Sequence, residues 1–237
     1  MHREHFLLPF FWLMTDDLIT YMENFITPER KQLFDRVIQN RTRYITVVLE
    51  DIYQSHNASA VLRSCDCFGI QDVYIIENKN KYQVNPDVTL GSDKWLNLIN
   101  YRKQGDNSIK AITELRKKGY RIVATTPHKN DTDLNNFDLS AGKVALFFGT
   151  ELQGLSDDIL HNAGEFLRIP MYGFTESYNI SVSAAIILHT LTEKMKASSI
   201  HWQLTNEEIR EVRKKWLERT IKNSNLIEKE YINRKKK

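Results

Sequence analysis

The spacing of hydrophobic positions changes along this chain, and each change marks an element. Thr27, Pro28 and Glu29 place a capping threonine before a proline at the first helical position. Leu33, Val37 and Ile38 then recur at helical spacing, so a basic helix is predicted from 28 to about 40. After that the period shortens. Positions 45–50 and 72–77 are short β-branched runs, and between them 56–68 reads as a helix stopped by Gly69. The alternation continues with a helix at 108–118 ended by Gly119, a strand at 121–125, a polar loop from His128 to Asn136 and a strand at 143–148. A helix near 155–162, a strand at 166–169 and a helix from Asn179 to about Lys196 follow. Thr205 with Glu208 three residues on forms a capping box for a last helix. Strands alternating with helices predict an α/β fold with a mostly parallel sheet and helices on both faces.

Composition narrows this picture. The 237 residues, 41% hydrophobic and 27% charged, suit one globular domain with short appendages. The formal charge is only +3, but its distribution is uneven. From His201 to Lys237 eleven Lys and Arg face six Glu, which leaves the remainder slightly acidic. Such an end is either a solvated tail or a surface for a polyanion such as RNA. Cys65 and Cys67 stand two apart in a helix-like stretch, where their side chains diverge. They read as small buried hydrophobes rather than a disulfide, which points to a reducing, cytoplasmic setting. No run approaches the roughly 18 apolar residues of a membrane span. Residues 6–14 resemble a short signal-peptide core, but Pro9 interrupts them and no small-residue cleavage site follows. Met14 therefore reads as the natural start, with residues 1–13 an upstream extension.

In an open parallel sheet, ligands bind beyond the carboxyl ends of the strands, and the unusual residues fall in those loops. After the first strand come Asn57 and, six residues on, Arg63. After the strand at 143–148 come Gly149, Thr150, Glu151, Gly154 and Leu155. After the strand at 166–169 come Pro170, Met171, Tyr172 and Gly173, then Ser177, Tyr178, Asn179, Ser181 and Ser183. Asn57 and Asn179 could equally be helix caps, and Gly149 and Gly154 turn glycines. Glu151 is harder to explain by packing, because a charge between two turn glycines serves no core. Arg63 beside Val61 and Leu62 would be costly on an apolar face unless paired, and Glu151 is its natural partner. His56 is set aside as structural. No His, Cys, Asp or Glu cluster has ligand spacing, so no metal is expected.

These three segments, in this order and spacing, resemble the three motifs of the SpoU family of RNA ribose methyltransferases, a branch of the knotted methyltransferases. The resemblance covers about residues 28–198. It implies a SPOUT-type C-terminal trefoil knot, a homodimer and S-adenosylmethionine as methyl donor. It also implies 2′-O-methylation of a ribose in RNA. Arg41, Arg43, Asp66 and the run from Gly91 to Trp95 are most similar to the branch acting on tRNA, at guanosine 18 of the D-loop. Carried over, Arg63, Asn57, Glu151 and Asn179 are the catalytic set, and backbone around Thr125, Gly149, Ile169, Met171 and Tyr178 cradles the donor. Three positions depart from the family pattern: Thr150 stands for an amide residue, Tyr178 for leucine and Ser183 for alanine. The division expected is an N-terminal helical extension at 1–43, a methyltransferase domain at 44–198 and a basic helical extension at 199–237.

Methyl transfer is an in-line displacement, so the enzyme must align two substrates and remove a proton; alignment alone contributes roughly 7–11 kcal/mol. A guanidinium with pKa above about 12 is a poor base, which leaves Arg63 either a base assisted by substrate phosphate or a phosphate clamp. The helix from Asn179 carries Ile180, Ile187, Leu188 and Leu191, more apolar surface than one sheet face needs, which is the residue-level reason to expect a dimer. Arg30, Lys31, Arg36, Arg41 and Arg43 together with the C-terminal cations would form the RNA surface. A dinucleotide-binding enzyme is disfavoured, since none of the nine glycines forms G-x-G-x-x-G. A non-catalytic RNA-binding protein and an enzyme for ribosomal RNA remain as alternatives.

Overall fold

The computed structural model describes residues 16–103, 105–127, 131–151 and 153–235. The stretch at 6–14 and His128 therefore lie outside the described residues. The chain divides into two compact units: one runs over 42–203, and the other joins the N-terminal residues up to 41 with those from 204 onward.

The larger unit is a seven-stranded sheet: β1 (Ile45–Glu50), β2 (Asp72–Ile76), β3 (Asn97–Tyr101), β4 (Arg121–Thr125), β5 (Thr132–Asp133), β6 (Val144–Phe148) and β7 (Glu165–Arg168). Its order is β3-β2-β1-β6-β4-β7-β5, and every pairing is parallel. β6 enters between the earlier β1 and β4, and β7 between β4 and β5. β1 is buried along its whole length, and its alternate residues serve two cores, as a strand's period of two requires. Ile45, Val47 and Leu49 join the layer containing α2 (Ser55–Cys67) and α6 (Ile180–Lys196). Val48 joins the layer containing α4 (Asn107–Lys117) and α5 (Asp157–Asn162). α2 presents Ala58, Val61, Leu62 and Cys65 at helical spacing to the core and packs against α6. The short α3 (Pro86–Thr89) lies between β2 and β3.

The sequence reading missed two edge strands. β3 has a mixed pattern with Asn97 and Asn100 inside it, because an edge strand is only half covered. Thr132–Asp133, inside the predicted polar loop, pairs with β7, and the following turn buries Leu134. Cys67 is exposed, whereas Cys65 is buried as expected: two residues along a helix is roughly 200° around it.

The smaller unit contains α1 (Pro28–Ile38), α7 (Asn206–Thr220) and α8 (Ser224–Lys235), with residues 16–23 also helical. Thr27 caps α1 and the Thr205–Glu208 box caps α7. The single predicted C-terminal helix is two, separated by Asn223 in a left-handed conformation (φ 57°). Phe34 and Trp216 pack with ring centroids 5.3 Å apart, and the buried Arg41 guanidinium lies 5.4 Å from the Trp216 ring. Arg213 bonds both Glu23 and Asp35, Lys214 contacts Glu218 at 2.7 Å and Glu228 at 3.0 Å, and Lys215, Arg234 and Lys235 each meet a carboxylate. Burial disfavours the Arg213 charge, but the hydrogen bonds it donates to Asp35 and Glu23 hold its pKa above the ordinary value. Several of the cations read from sequence as an RNA surface thus meet partners within their own unit.

Candidate active site at the carboxyl ends of the sheet

The carboxyl ends of β1, β6, β4 and β7 carry the loops singled out above. Asn179 caps α6, its Oδ1 accepting from the Ser181 N–H at 2.8 Å. That bond fixes the amide, and its Nδ2 turns outward to donate to Glu151 Oε1 at 2.6 Å and to Asn57 Oδ1 at 3.1 Å. Asn179 is thus a helix cap through its oxygen, while its nitrogen reaches Glu151 and Asn57. Asn57 is not a cap. It sits in the first turn of α2, buried, and its Nδ2 donates to Glu151 Oε1 and to Gln54 Oε1, each at 3.0 Å. Two amides that are remote in sequence thus converge on one oxygen of Glu151.

Glu151 is presented by a tight turn. Thr150 and Gly154 exchange two backbone hydrogen bonds of 2.9 Å, and Gly154 adopts φ 69°. A Cβ on Gly149 would stand 2.1 Å from the Gly154 carbonyl oxygen, so backbone passes where a side chain would be. Glu50, at the end of β1, pins the far side of this turn. It accepts from the Ser156 N–H at 2.8 Å and the Ser156 hydroxyl at 2.6 Å, and from the Ser108 hydroxyl at 2.6 Å. Sequence reasoning missed Glu50 as a support; the available signal was a carboxylate closing a wholly apolar buried run.

Two cavities meet at Glu151. One, of about 400 Å³, is lined by Thr125, Gly149, Ile169, Met171, Tyr178 and Ile187 among others, which brings the five predicted donor residues together. Thr125 spends its hydroxyl on the Phe147 carbonyl at 2.8 Å. The other, of about 320 Å³, lies on the Asn57 side and reaches Tyr53, Gln54 and Lys79. The two share Thr150, Glu151, Gln153 and Ile180.

Arg63 is not where the sequence suggested. It is exposed and lines neither cavity, and among the described residues no ion pair joins it to Glu151. Helical geometry is the reason: position 63 lies roughly 140° around α2 from Ala58, off the buried stripe. Ile180, Ile187, Leu188 and Leu191 are likewise buried inside the chain's own core, so they offer no surplus for a partner. Arg43 is spent on Asp72 at 3.1 Å. Among the described residues no group of three or more His, Cys, Asp or Glu is placed to hold a metal, and no helix is long and apolar enough to cross a membrane.

A parallel sheet that gathers a carboxylate and two amides at its carboxyl ends, over a turn whose backbone leaves no room for a side chain, defines an α/β protein built to hold ligands at that edge. Comparison with known proteins says which: the model of the SpoU rRNA Methylase family matches residues 44–189, and the chain belongs to that family. It is 45% identical to a tRNA (guanosine(18)-2′-O)-methyltransferase of Borreliella burgdorferi over 91% of this chain and 98% of that relative. A protein of the same name from Aquifex aeolicus is 31% identical over 82% of this chain and 92% of its own length. The crystal structure of the A. aeolicus TrmH/SpoU tRNA modifying enzyme superposes with a TM-score of 0.71, covering 82% of this chain and 98% of that one.

Proposed function

We infer that this chain is a 2′-O-methyltransferase that moves a methyl group from S-adenosylmethionine to the ribose of guanosine 18 in tRNA. The observation that carries the reading is the meeting of two cavities at Glu151, in a chain similar over nearly its whole length to an enzyme of that name.

The cavity at Gly149 fits the donor. Its volume is within the range of small-molecule sites, and the Gly149–Gly154 contact leaves only backbone on that wall. Thr125, Gly149, Ile169, Met171 and Tyr178 would hold it. When bound, S-adenosylmethionine supplies a methyl group already activated by a sulfonium charge, so no metal is needed. On the other side Glu151 locks Asn57 and Asn179 into one orientation, which prepares amide groups to position a ribose. Arg63, exposed and outside its own chain's cavities, serves as a phosphate clamp rather than a base, since a guanidinium retains its proton.

The dimer and the domain roles belong to the same reading. Among the exposed apolar groups, Tyr172, Phe174, Tyr178 and Val182 lie beside the donor cavity and would meet a second copy. In such a homodimer the partner supplies Arg63. Residues 44–198 would do the chemistry, and 1–43 and 199–237 would hold tRNA. Two free cysteines suit a reducing cytoplasm. The test is transfer of labelled methyl to tRNA transcripts, with the site mapped. Labelling that vanishes when guanosine 18 carries a 2′-deoxyribose supports the reading; no transfer, or transfer to ribosomal RNA alone, sinks it.

A further inference from the structure

The second cavity at Glu151 has a construction of its own. Tyr53 and Gln54 lie on the segment between β1 and α2, and Lys79 and Asn80 on the loop after β2. One residue fastens the two. Asp51 takes a left-handed conformation (φ 52°), rare for a non-glycine residue. Its Oδ1 accepts the backbone N–H groups of Asn78 at 2.7 Å, Lys79 at 2.8 Å and Asn80 at 3.2 Å, and its carbonyl accepts from Asn80 Nδ2 at 2.8 Å. Four hydrogen bonds thus hold the Tyr53 and Lys79 segments together across the mouth of the cavity.

What this scaffold presents is unusual for a surface. Tyr53 is 80% exposed although the neighbouring Ile52 is buried. Lys79 is exposed, and its ammonium has no hydrogen bond or ion pair among the described residues. Between them, Ile52 and Ile180 give an apolar floor and Gln153 an exposed amide. A flat aromatic face, a free cation and amide hydrogen-bonding groups beside a ribose-positioning cluster are the complement of a single unstacked nucleotide.

We propose that this cavity receives the nucleotide whose ribose is methylated, with its base stacked on Tyr53, its edge met by Gln153 and an adjacent phosphate held by Lys79. The proposal rests on the functional reading above and adds the base subsite to it. Stacking asks only for a π-face, so Tyr53 governs how strongly the nucleotide is held, while Gln153 governs which base is preferred.

The experiment compares wild-type protein with Tyr53→Ala, Tyr53→Phe and Lys79→Ala, using one tRNA transcript and measuring kcat/KM for methyl transfer. Donor affinity and Tm are followed alongside. Tyr53→Ala is expected to lower kcat/KM at least about tenfold, with Tyr53→Phe within about twofold of wild type and donor affinity unchanged in both. Lys79→Ala is expected to flatten the log–log salt dependence of tRNA binding by about 0.7–0.9. Near-normal kcat/KM in Tyr53→Ala, or an equal loss in Tyr53→Phe, overturns the base subsite while leaving the functional reading intact. A wild-type protein that binds donor but methylates no tRNA overturns the functional reading, and the subsite with it.

Discussion

Glu50 accepts both the backbone N–H and the hydroxyl of Ser156, 106 positions away, and through that pair the end of β1 sets the position of the turn that carries Glu151. The carboxylate is 2% exposed and also takes the Ser108 hydroxyl, so it joins β1, α4 and the N-cap of α5 at one point.

Replacing Glu50 with alanine removes the acceptor from three donors. Each buried group left unsatisfied costs about 1–3 kcal/mol, and a loss near 3 kcal/mol in chemical unfolding is expected, together with weaker donor binding. Unchanged unfolding would show that water replaces the carboxylate and that the turn is held elsewhere.

Gly149→Ala forces backbone apart, since the new methyl would sit 2.1 Å from the Gly154 oxygen and 2.4 Å from the Leu155 nitrogen. Overpacking of this kind costs about 1–3 kcal/mol. Calorimetry should show donor affinity falling by more than stability alone explains, because the same backbone lines the donor cavity. Unaltered affinity would place the donor away from this wall.

Asn57 and Asn179 share Glu151 Oε1 as acceptor and bond each other. Their alanine substitutions should not add: a double-mutant cycle on kcat/KM is expected to show a coupling of about 0.5–3 kcal/mol. Strict additivity would mean that the amides act separately.

Arg63→Ala is expected to lower turnover roughly 100-fold or more, about 2.7 kcal/mol, with donor binding little changed. Because Arg63 lies outside both cavities of its own chain, mixing Arg63→Ala with Glu151→Ala should give mixed dimers more active than either variant alone. A monomeric mass in light scattering, or no restoration on mixing, contradicts assembly of the site from two copies.

Chelators should leave methyl transfer intact, since the sulfonium donor needs no Lewis acid. Activity lost in chelator and regained with a divalent ion, on tRNA whose fold is unchanged, would count against this.

Much of the protein is determined by local pattern. β-branched runs, the Thr27 and Thr205 caps and the stops at Gly69 and Gly119 are set by neighbours along the chain, so most elements were legible. The turn glycines around Glu151 were legible for the same reason, since they lie where a strand ends and the backbone must bend, whereas Thr125, Ile169, Met171 and Tyr178 were named only through the family resemblance. What depends on three-dimensional neighbours was not. β3 and Thr132–Asp133 are strands only because β2 and β7 lie beside them. The partner of Glu151 is the Asn57–Asn179 pair rather than Arg63, because rotation along α2 turns position 63 to solvent. Ile187, Leu188 and Leu191 face the chain's own sheet, and Arg41 and Arg213 are occupied by Trp216 and by carboxylates. Sequence gives periodicity and residue chemistry; which side chain satisfies which, across a hundred positions, is settled only when packing brings the strand ends together.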